Sequence, residues 1–182
     1  MVNPFEILDG LSVSSLRRQD LIPQLQQEFS WIDDFLGAGE LQRCLNTDDP
    51  IAILNNLLKN HFAPVFVYGT LLPGESNRHY MKNAAFIAED ALENAILYNC
   101  GPYPMLRPGS GMVYGQVYQV PLFDLPALDA LEGHPNHYYR EIVSLQSGTS
   151  AWAYFGREQY VASCQRIVSG RWRDRVSSSP SI

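Results

Sequence analysis

Apolar and polar positions along the chain predict a helical first third followed by a strand-rich remainder. Between Ile22 and Leu36, apolar residues recur at spacings of three and four, the pattern of a helix with one buried face. Helix starts or stops are predicted at Asn3-Pro4, Gly10, Asp20, Gly37 and Asp49-Pro50, and a short turn is predicted around Leu41 to Leu45. These helices are short, so their apolar stripes are expected to pack on each other or on the next domain.

From Phe62 onward, β-branched and aromatic runs bounded by Gly and Pro predict strands and turns. Extended segments are predicted at 65–68, 85–98, 103–106, 113–120, 138–145 and 150–155, with turns at 99–102, 108–111 and 146–149 and a helix over 124–132. Many strands with few helices favour an α+β domain built on a small mixed β-barrel flanked by short helices. The predicted organisation is a helical N-terminal extension (1–60), the barrel domain (61–175) and a flexible Ser-rich tail (176–182).

Composition and charge exclude several classes of function. The 182 residues have a net charge of −6 and no run of basic side chains, which argues against a nucleic-acid partner. No apolar stretch approaches the roughly 20 residues of a membrane-spanning helix, and the N-terminus lacks the pattern of a secretory signal. Cys44, Cys100 and Cys164 are widely spaced, so neither a zinc site nor a disulfide framework is predicted. We therefore expect reduced thiols and a cytoplasmic protein.

The stretch from Val65 to Gly74 contains the first candidate chemistry. A buried strand is predicted to end at Tyr68, and Gly69 and Thr70 then leave regular pairing. The N–H groups released in this way must find an acceptor, so they are a candidate cradle for a carboxylate or an oxyanion. The alternative is a strand followed by an ordinary turn.

Three landmarks follow each other in order: Tyr68-Gly69-Thr70-Leu71, then Leu128-Asp129-Ala130-Leu131-Glu132-Gly133, then Tyr138-Tyr139-Arg140. A Tyr103-Pro104 pair lies between the first two, and Arg171-Trp172 comes near the end. Together these motifs resemble the γ-glutamylcyclotransferase-like family, nearest to its γ-glutamylamine cyclotransferase branch. The resemblance extends from about Pro64 to Trp172 and leaves the helical extension outside it.

The resemblance implies a mixed β-barrel and the conversion of a γ-glutamyl amine or γ-glutamyl amino acid to 5-oxoproline and free amine. It implies no cofactor and no metal, and a small γ-glutamyl molecule as the partner. By motif position, Glu132 matches the acid/base carboxylate, and Tyr68, Gly69, Thr70 and Leu71 match the substrate loop. The alternative is a non-catalytic binding or interaction module on the same fold. The oligomeric state is not indicated by the sequence.

Residue chemistry leaves some of these roles open. A Glu has an ordinary pKa of about 4.3, so catalysis at neutral pH requires an apolar pocket; a surface Glu before Gly133 is the alternative. Tyr139 and Arg140 are candidate substrate ligands, but Arg140 could instead pair with Glu141 or Glu158. Two histidines beside Glu132 suggest a metal, but their spacing without a nearby Cys favours solvated side chains.

Overall fold

The computed structural model describes residues 18–175, and the chain falls into two compact units that divide between His61 and Phe62. The helix predicted near Asn3 and the tail 176–182 lie outside the described residues. In the part of the chain that is described, no helix combines the length and the apolar character needed to cross a membrane.

The first unit is helical, as its periodicity predicts. Its helices are α1 (Arg18–Glu28), α2 (Ile32–Leu36), α3 (Glu40–Leu45) and α4 (Pro50–Asn60). Asp49 caps α4 as predicted, because its carboxylate accepts a hydrogen bond from the N–H of Ala52 at 3.0 Å. The stretch from Asp20 to Leu36 forms two helices rather than one, and the Ser30 hydroxyl donates to the Gln27 carbonyl at the break.

The turn predicted around Leu41 is instead the helix α3. Its first N–H groups need acceptors, and the Asp33 carboxylate supplies them from eight residues upstream. The N–H of Gly39 donates to one Asp33 oxygen at 3.1 Å, and the N–H of Leu41 donates to the other at 2.8 Å. A non-local cap of this kind satisfies a helix start that has no capping residue of its own.

The second unit contains one six-stranded mixed sheet in the order β4-β5-β1-β3-β2-β6. The strands are β1 (Phe62–Val67), β2 (Ala85–Asn99), β3 (Pro104–Pro121), β4 (Tyr138–Ser144), β5 (Ser150–Gly156) and β6 (Gln165–Ile167). Only the β1–β5 pair is parallel. The sheet curls into a half-barrel, and α5 (Leu125–Glu132) and short 3₁₀ turns accompany it. The predicted α+β barrel-like fold is confirmed, with β4 and β6 as separate edges.

One predicted turn is wrong. Residues 108–111 were expected to turn because of Pro108, Gly109 and Gly111, yet they lie inside β3, which pairs with β2 along most of its length. Here the glycines serve close packing across strands. A Cβ at Gly109 would lie 2.3 Å from the Ile96 side chain, and one at Gly111 would lie 2.7 Å from a backbone oxygen of β2.

The prediction of three free thiols is also wrong. Cys100 and Cys164 form a disulfide with their Cα atoms 4.7 Å apart, and Cys44 is the remaining free, buried cysteine. The cause is the antiparallel pairing of β2 and β6, in which Asn99 is the partner of Gln165. Cys100 follows Asn99, and Cys164 precedes Gln165, so the pairing brings the two cysteine Cα atoms within disulfide range.

Candidate active site

The site begins where β1 ends. Regular pairing of β1 stops at Val67, and the chain turns at once, since the N–H of Leu72 donates to the Gly69 carbonyl at 3.0 Å. Asn77 holds this loop from the other side. Its N–H donates to the Thr70 carbonyl at 3.0 Å, and its side-chain amide donates to the Thr70 hydroxyl at 3.1 Å. The loop is therefore fixed at both ends by backbone and side-chain bonds.

Gly69 is required here by a close approach. A Cβ at this position would lie 2.2 Å from Cγ of Pro104, well inside the 3.5–4.0 Å of an ordinary carbon contact. The Tyr-Gly-Thr-Leu loop thus packs directly on the Tyr103-Pro104 pair from the start of β3. Two of the motifs named in the sequence are therefore in contact.

The loop presents backbone donors without protein acceptors. Within residues 18–175, no backbone or side-chain group accepts a hydrogen bond from the N–H of Gly69, Thr70 or Leu71. All three residues line the same cavity. These N–H groups lie outside the sheet ladder, at and beside the turn closed by Leu72, and their residues line the cavity, so they are available to a ligand; their role as a cradle stays a prediction.

Glu132 is placed by the end of α5. Gly133 ends the helix with φ +61°, and the N–H groups of Gly133 and His134 donate to the carbonyls of Ala130 and Asp129 at 3.2 and 2.9 Å. This pair of bonds is a Schellman motif, which suits a glycine in the left-handed region. The last helical residue, Glu132, is thereby held at a sharply defined helix end.

These elements enclose one cavity of about 360 Å³. The Tyr-Gly-Thr-Leu loop of residues 68–71, which we call the cradle loop, and Glu132 both belong to its wall. The other residues that line it belong to β1, the start of β3, α5, β4, β5 and the segments that connect these elements: Val65, Phe66, Val67, Asn77, Tyr103, Pro104, Ala130, Leu131, Gly133, His137, Tyr138 and Tyr154. A volume of this size accommodates a small molecule.

Burial changes the titration of Glu132. Removal from water raises its pKa from an ordinary 4.5 to about 7, and the negative charge of Asp129 adds to the increase. Burial also raises the pKa values of Tyr68, Tyr138 and Tyr154 above their usual range, so these hydroxyls stay neutral. The cavity therefore contains a carboxyl group that can both accept and return a proton near neutral pH.

The tyrosine hydroxyls are fixed by hydrogen bonds. Tyr68 donates to the Tyr154 carbonyl at 2.5 Å, and Tyr138 donates to the Pro104 carbonyl at 2.6 Å. Tyr154 donates to the Asp129 carboxylate at 2.6 Å. Tyr138 and Tyr154 are buried, and they form part of the cavity wall.

Two of the sequence-predicted site residues do not line this cavity. Arg140 forms an ion pair with Asp129 at 3.1 Å, and neither of the partners considered from the sequence, Glu141 or Glu158, takes that place. Tyr139 packs against the hydrophobic core and stacks on Phe155 with ring centroids 5.7 Å apart. Consecutive residues of a strand point to opposite faces, so Tyr138 reaches the cavity and Tyr139 does not.

The two histidines near Glu132 have different surroundings. His137 lines the cavity and stacks on Tyr160 with ring centroids 4.3 Å apart. Burial lowers the pKa of His134, which favours its neutral form. Among the described residues, no group of three or more His, Cys, Asp or Glu side chains comes together as potential metal ligands.

Asn77, Tyr103 and His137 belong to the site, although the sequence did not assign them to it. Asn77 follows the cradle loop by only six residues, a spacing that could have suggested a contact with Thr70. Tyr103 was part of a motif in the resemblance but was given no site role, and His137 has no sequence signal, because the approach of both depends on β3 and on the segment between α5 and β4.

Comparison with known proteins adds independent information. The family model described as gamma-glutamyl cyclotransferase, AIG2-like, matches residues 65–174. The gamma-glutamylcyclotransferase family protein ytfP of Citrobacter rodentium is 39% identical over 111 residues, which covers 61% of this chain and 96% of the relative. The solution structure of ytfP from Escherichia coli superposes with a TM-score of 0.52 at 38% identity, over 62% of this chain and 97% of that one. An AIG2-like protein from Mus musculus gives a TM-score of 0.51 at 27% identity, over 57% and 84% of the two chains.

Proposed function

This chain belongs to the gamma-glutamyl cyclotransferase, AIG2-like family, and on that premise we propose that it converts a γ-glutamyl amine or γ-glutamyl amino acid to 5-oxoproline and free amine. One observation carries the proposal: a carboxyl group with a pKa of about 7 lies in the same cavity as three backbone N–H groups that have no protein acceptor within the described chain. The γ-glutamylamine branch of the family stays a prediction from the motifs.

The reaction is an internal aminolysis. The α-amino group of the substrate is an ammonium at neutral pH, so it must lose a proton before it can attack the γ-carbonyl. Glu132 as a carboxylate accepts that proton, and the new carbon–nitrogen bond closes a five-membered ring. The bond to the leaving nitrogen then breaks as Glu132 returns a proton to it. In total, two protons move from the α-nitrogen to the leaving amine, and no water is consumed.

A pKa near 7 suits both halves of this cycle. At neutral pH Glu132 is about half ionised, so it is available as a base and competent as an acid in the next step. A Glu with its usual pKa would be a weak base toward an ammonium. Positioned acid–base groups contribute about 10²- to 10⁴-fold to rates, with the best pKa near the working pH.

The cradle loop serves the developing negative charge. Attack converts the γ-carbonyl oxygen into an oxyanion, to which the N–H groups of Gly69 to Leu71 would donate hydrogen bonds without reorganising, because the loop is already held by Asn77. Removal of one such donor typically costs about 10²- to 10³-fold in rate. Ring closure within one molecule needs mainly orientation, which a small cavity supplies.

A panel of γ-glutamyl compounds tests the proposal. The panel should hold γ-glutamyl amino acids, γ-glutamyl alkylamines and α-glutamyl isomers as chemical controls, with 5-oxoproline measured by mass spectrometry. We expect 5-oxoproline from one or more γ-glutamyl compounds and none from the α-isomers, because in those the amine would have to close a three-membered ring to displace the leaving amine. Binding of γ-glutamyl compounds without any 5-oxoproline would reject the enzyme and support the binding module instead.

A further inference from the structure

A second carboxylate lies directly behind the cavity wall. Asp129 precedes Glu132 by three residues on α5, so the two side chains occupy the same face of the helix, about 5–6 Å apart at Cβ. Asp129 does not line the cavity. It reaches the site through Tyr154, whose hydroxyl donates to it at 2.6 Å and whose ring forms part of the cavity wall.

The position of this carboxylate is fixed. Arg140 pairs with it at 3.1 Å, and the Arg140 guanidinium lies 4.8 Å from the centre of the Trp152 ring. The Arg140 side chain is 5% exposed and that of Asp129 is 19% exposed, so the pair is shielded from solvent. The His134 N–H also bonds to the Asp129 carbonyl as part of the helix end. Side chain and backbone of Asp129 are thus held by separate contacts.

We propose that Asp129 is a positioning residue for Glu132: held by Arg140 and Tyr154, it keeps a negative charge at a set distance behind the acid/base carboxyl group. This inference rests on the proposed function, in which Glu132 moves the proton. It gives Arg140 a role that the sequence did not suggest, as an anchor for Asp129 rather than a ligand of the substrate.

Other groups around Glu132 do not supply this charge. Tyr68 at the end of β1, Tyr138 on β4 and Tyr154 on β5 face it, and burial keeps all three neutral. Tyr103 and His137 line the same cavity. Burial favours neutral His134, and the charges of Arg140 and Arg157 act in the same direction, although the charge of Asp129 opposes them. Asp129 is the charged neighbour that raises the pKa of Glu132 beyond the effect of burial.

Two carboxyl groups on one helix face therefore have different roles, proton transfer for Glu132 and positioning for Asp129. Asp129, paired with Arg140, supplies a negative charge whose repulsion adds to the effect of burial and raises the pKa of Glu132 further, while Glu132 moves the proton. Without that charge, Glu132 would be a weaker base and would be poorly matched to an ammonium. Tyr154 links the two functions, since it bonds to Asp129 and contacts the cavity.

The test is a direct titration of Glu132 by NMR in the full chain labelled with ¹³C at the Glu side-chain carboxyl, with Glu132→Gln used to assign the signal. We expect Asp129→Asn to lower the pKa of Glu132 by at least about half a unit, as removal of a nearby like charge should. The acid limb of the kcat/KM profile should move to lower pH by the same amount. Asp129→Glu should restore most of the shift, and Asp174→Asn, which neutralises an exposed carboxylate, should change neither value.

Tyr154→Phe provides a second variant that keeps the charge but removes one anchor. We expect a smaller change in the pKa of Glu132 than in Asp129→Asn, with kcat falling more than KM rises. An unchanged Glu132 titration in folded Asp129→Asn overturns the inference, and so does unchanged kcat in Tyr154→Phe if Asp129→Asn does not fold. The titration needs no turnover, so a wild-type chain that forms no 5-oxoproline rejects the proposed function alone.

Discussion

Replacement of Glu132 by Gln should remove activity and at the same time make the fold less sensitive to high pH. In the unfolded chain the carboxyl loses its proton near its ordinary pKa of 4.5, whereas in the folded protein it keeps the proton up to about pH 7. The folded state therefore binds more protons between these values, so stability falls as pH rises through this window. Gln is neutral throughout and does not contribute this loss.

The size of the effect follows from the shift. The difference between 7 and 4.5 is 2.5 units, and each unit corresponds to about 1.4 kcal/mol, so the wild-type chain should lose at most about 3.5 kcal/mol through this group, most of it between pH 4.5 and pH 8. Gln also removes the proton carrier. Turnover should then drop by at least about 10²-fold, the low end for acid–base catalysis.

Two measurements on the same samples check this prediction. Urea unfolding at pH 5 and pH 8 gives the pH dependence of the free energy of unfolding, and 5-oxoproline production gives turnover. Glu141→Gln is the matched control, because Glu141 is exposed on β4 and loses the same charge on substitution. The loss of unfolding free energy between pH 5 and pH 8 should be smaller in Glu132→Gln than in wild type. In Glu141→Gln this loss should equal that of wild type.

Either of the two measurements, unfolding or turnover, can refute its part of the prediction. An identical pH dependence of unfolding in wild type and Glu132→Gln would mean that Glu132 is not held protonated by its surroundings. Near wild-type 5-oxoproline production by the Gln variant would remove Glu132 from the mechanism. The comparison uses differences within each variant, so a fixed cost of placing an amide in the cavity cancels.

Three further predictions follow from the fold. Gly69→Ala should lower kcat by about 10²-fold, because its Cβ meets Pro104 at 2.2 Å and must move the cradle by more than about 1 Å. Gly74→Ala is strained by its φ of +84° but meets no heavy atom within 4 Å, so it should lower stability and keep most of kcat; equal kcat values in the two variants would contradict this. Replacement of both Cys100 and Cys164 by Ser should lower the free energy of unfolding by about 4 kcal/mol, from the entropy of a loop of 64 residues, and a loss below about 1 kcal/mol in urea titrations would contradict it. A chain that starts near Asn60 should still form 5-oxoproline if it stays in solution, and a folded but inactive fragment would contradict this; its thermal transition beside that of the full chain measures what the extension adds.

Local chemistry explains what the sequence predicted well. The start of α4 is set by Asp49-Pro50 and the end of α5 by Gly133, and the effects of these residues reach only a few positions. The end of β1 likewise follows from Gly69. The fold class and the pairing of the Tyr-Gly-Thr-Leu loop with Glu132 came from the order of the motifs, which local rules alone do not provide.

The surroundings of residues that contact distant segments could not be predicted from the sequence. Gly109 and Gly111 look like turn residues until Ile96 and Ala95 are placed opposite them. Cys100 and Cys164 meet only because β6 pairs with the end of β2, a strand of three residues that periodicity does not detect. Arg140 had two acidic candidates as partners from the sequence, and it pairs with a third, Asp129, from another element.

The place of β1 in the sheet also determines when the active site can exist during synthesis. β1 leaves the ribosome before every other strand, yet its parallel partner residue Trp152 follows Val65 by 152 − 65 = 87 positions. The hydrogen bond from Tyr68 to the Tyr154 carbonyl joins residues at a similar separation, 86 positions. Pairings over such separations form slowly compared with local ones. A chain that ends before β5 thus contains both the cradle loop and Glu132 but lacks Trp152 and Tyr154, so the proposed site can form only after β5 has been synthesised.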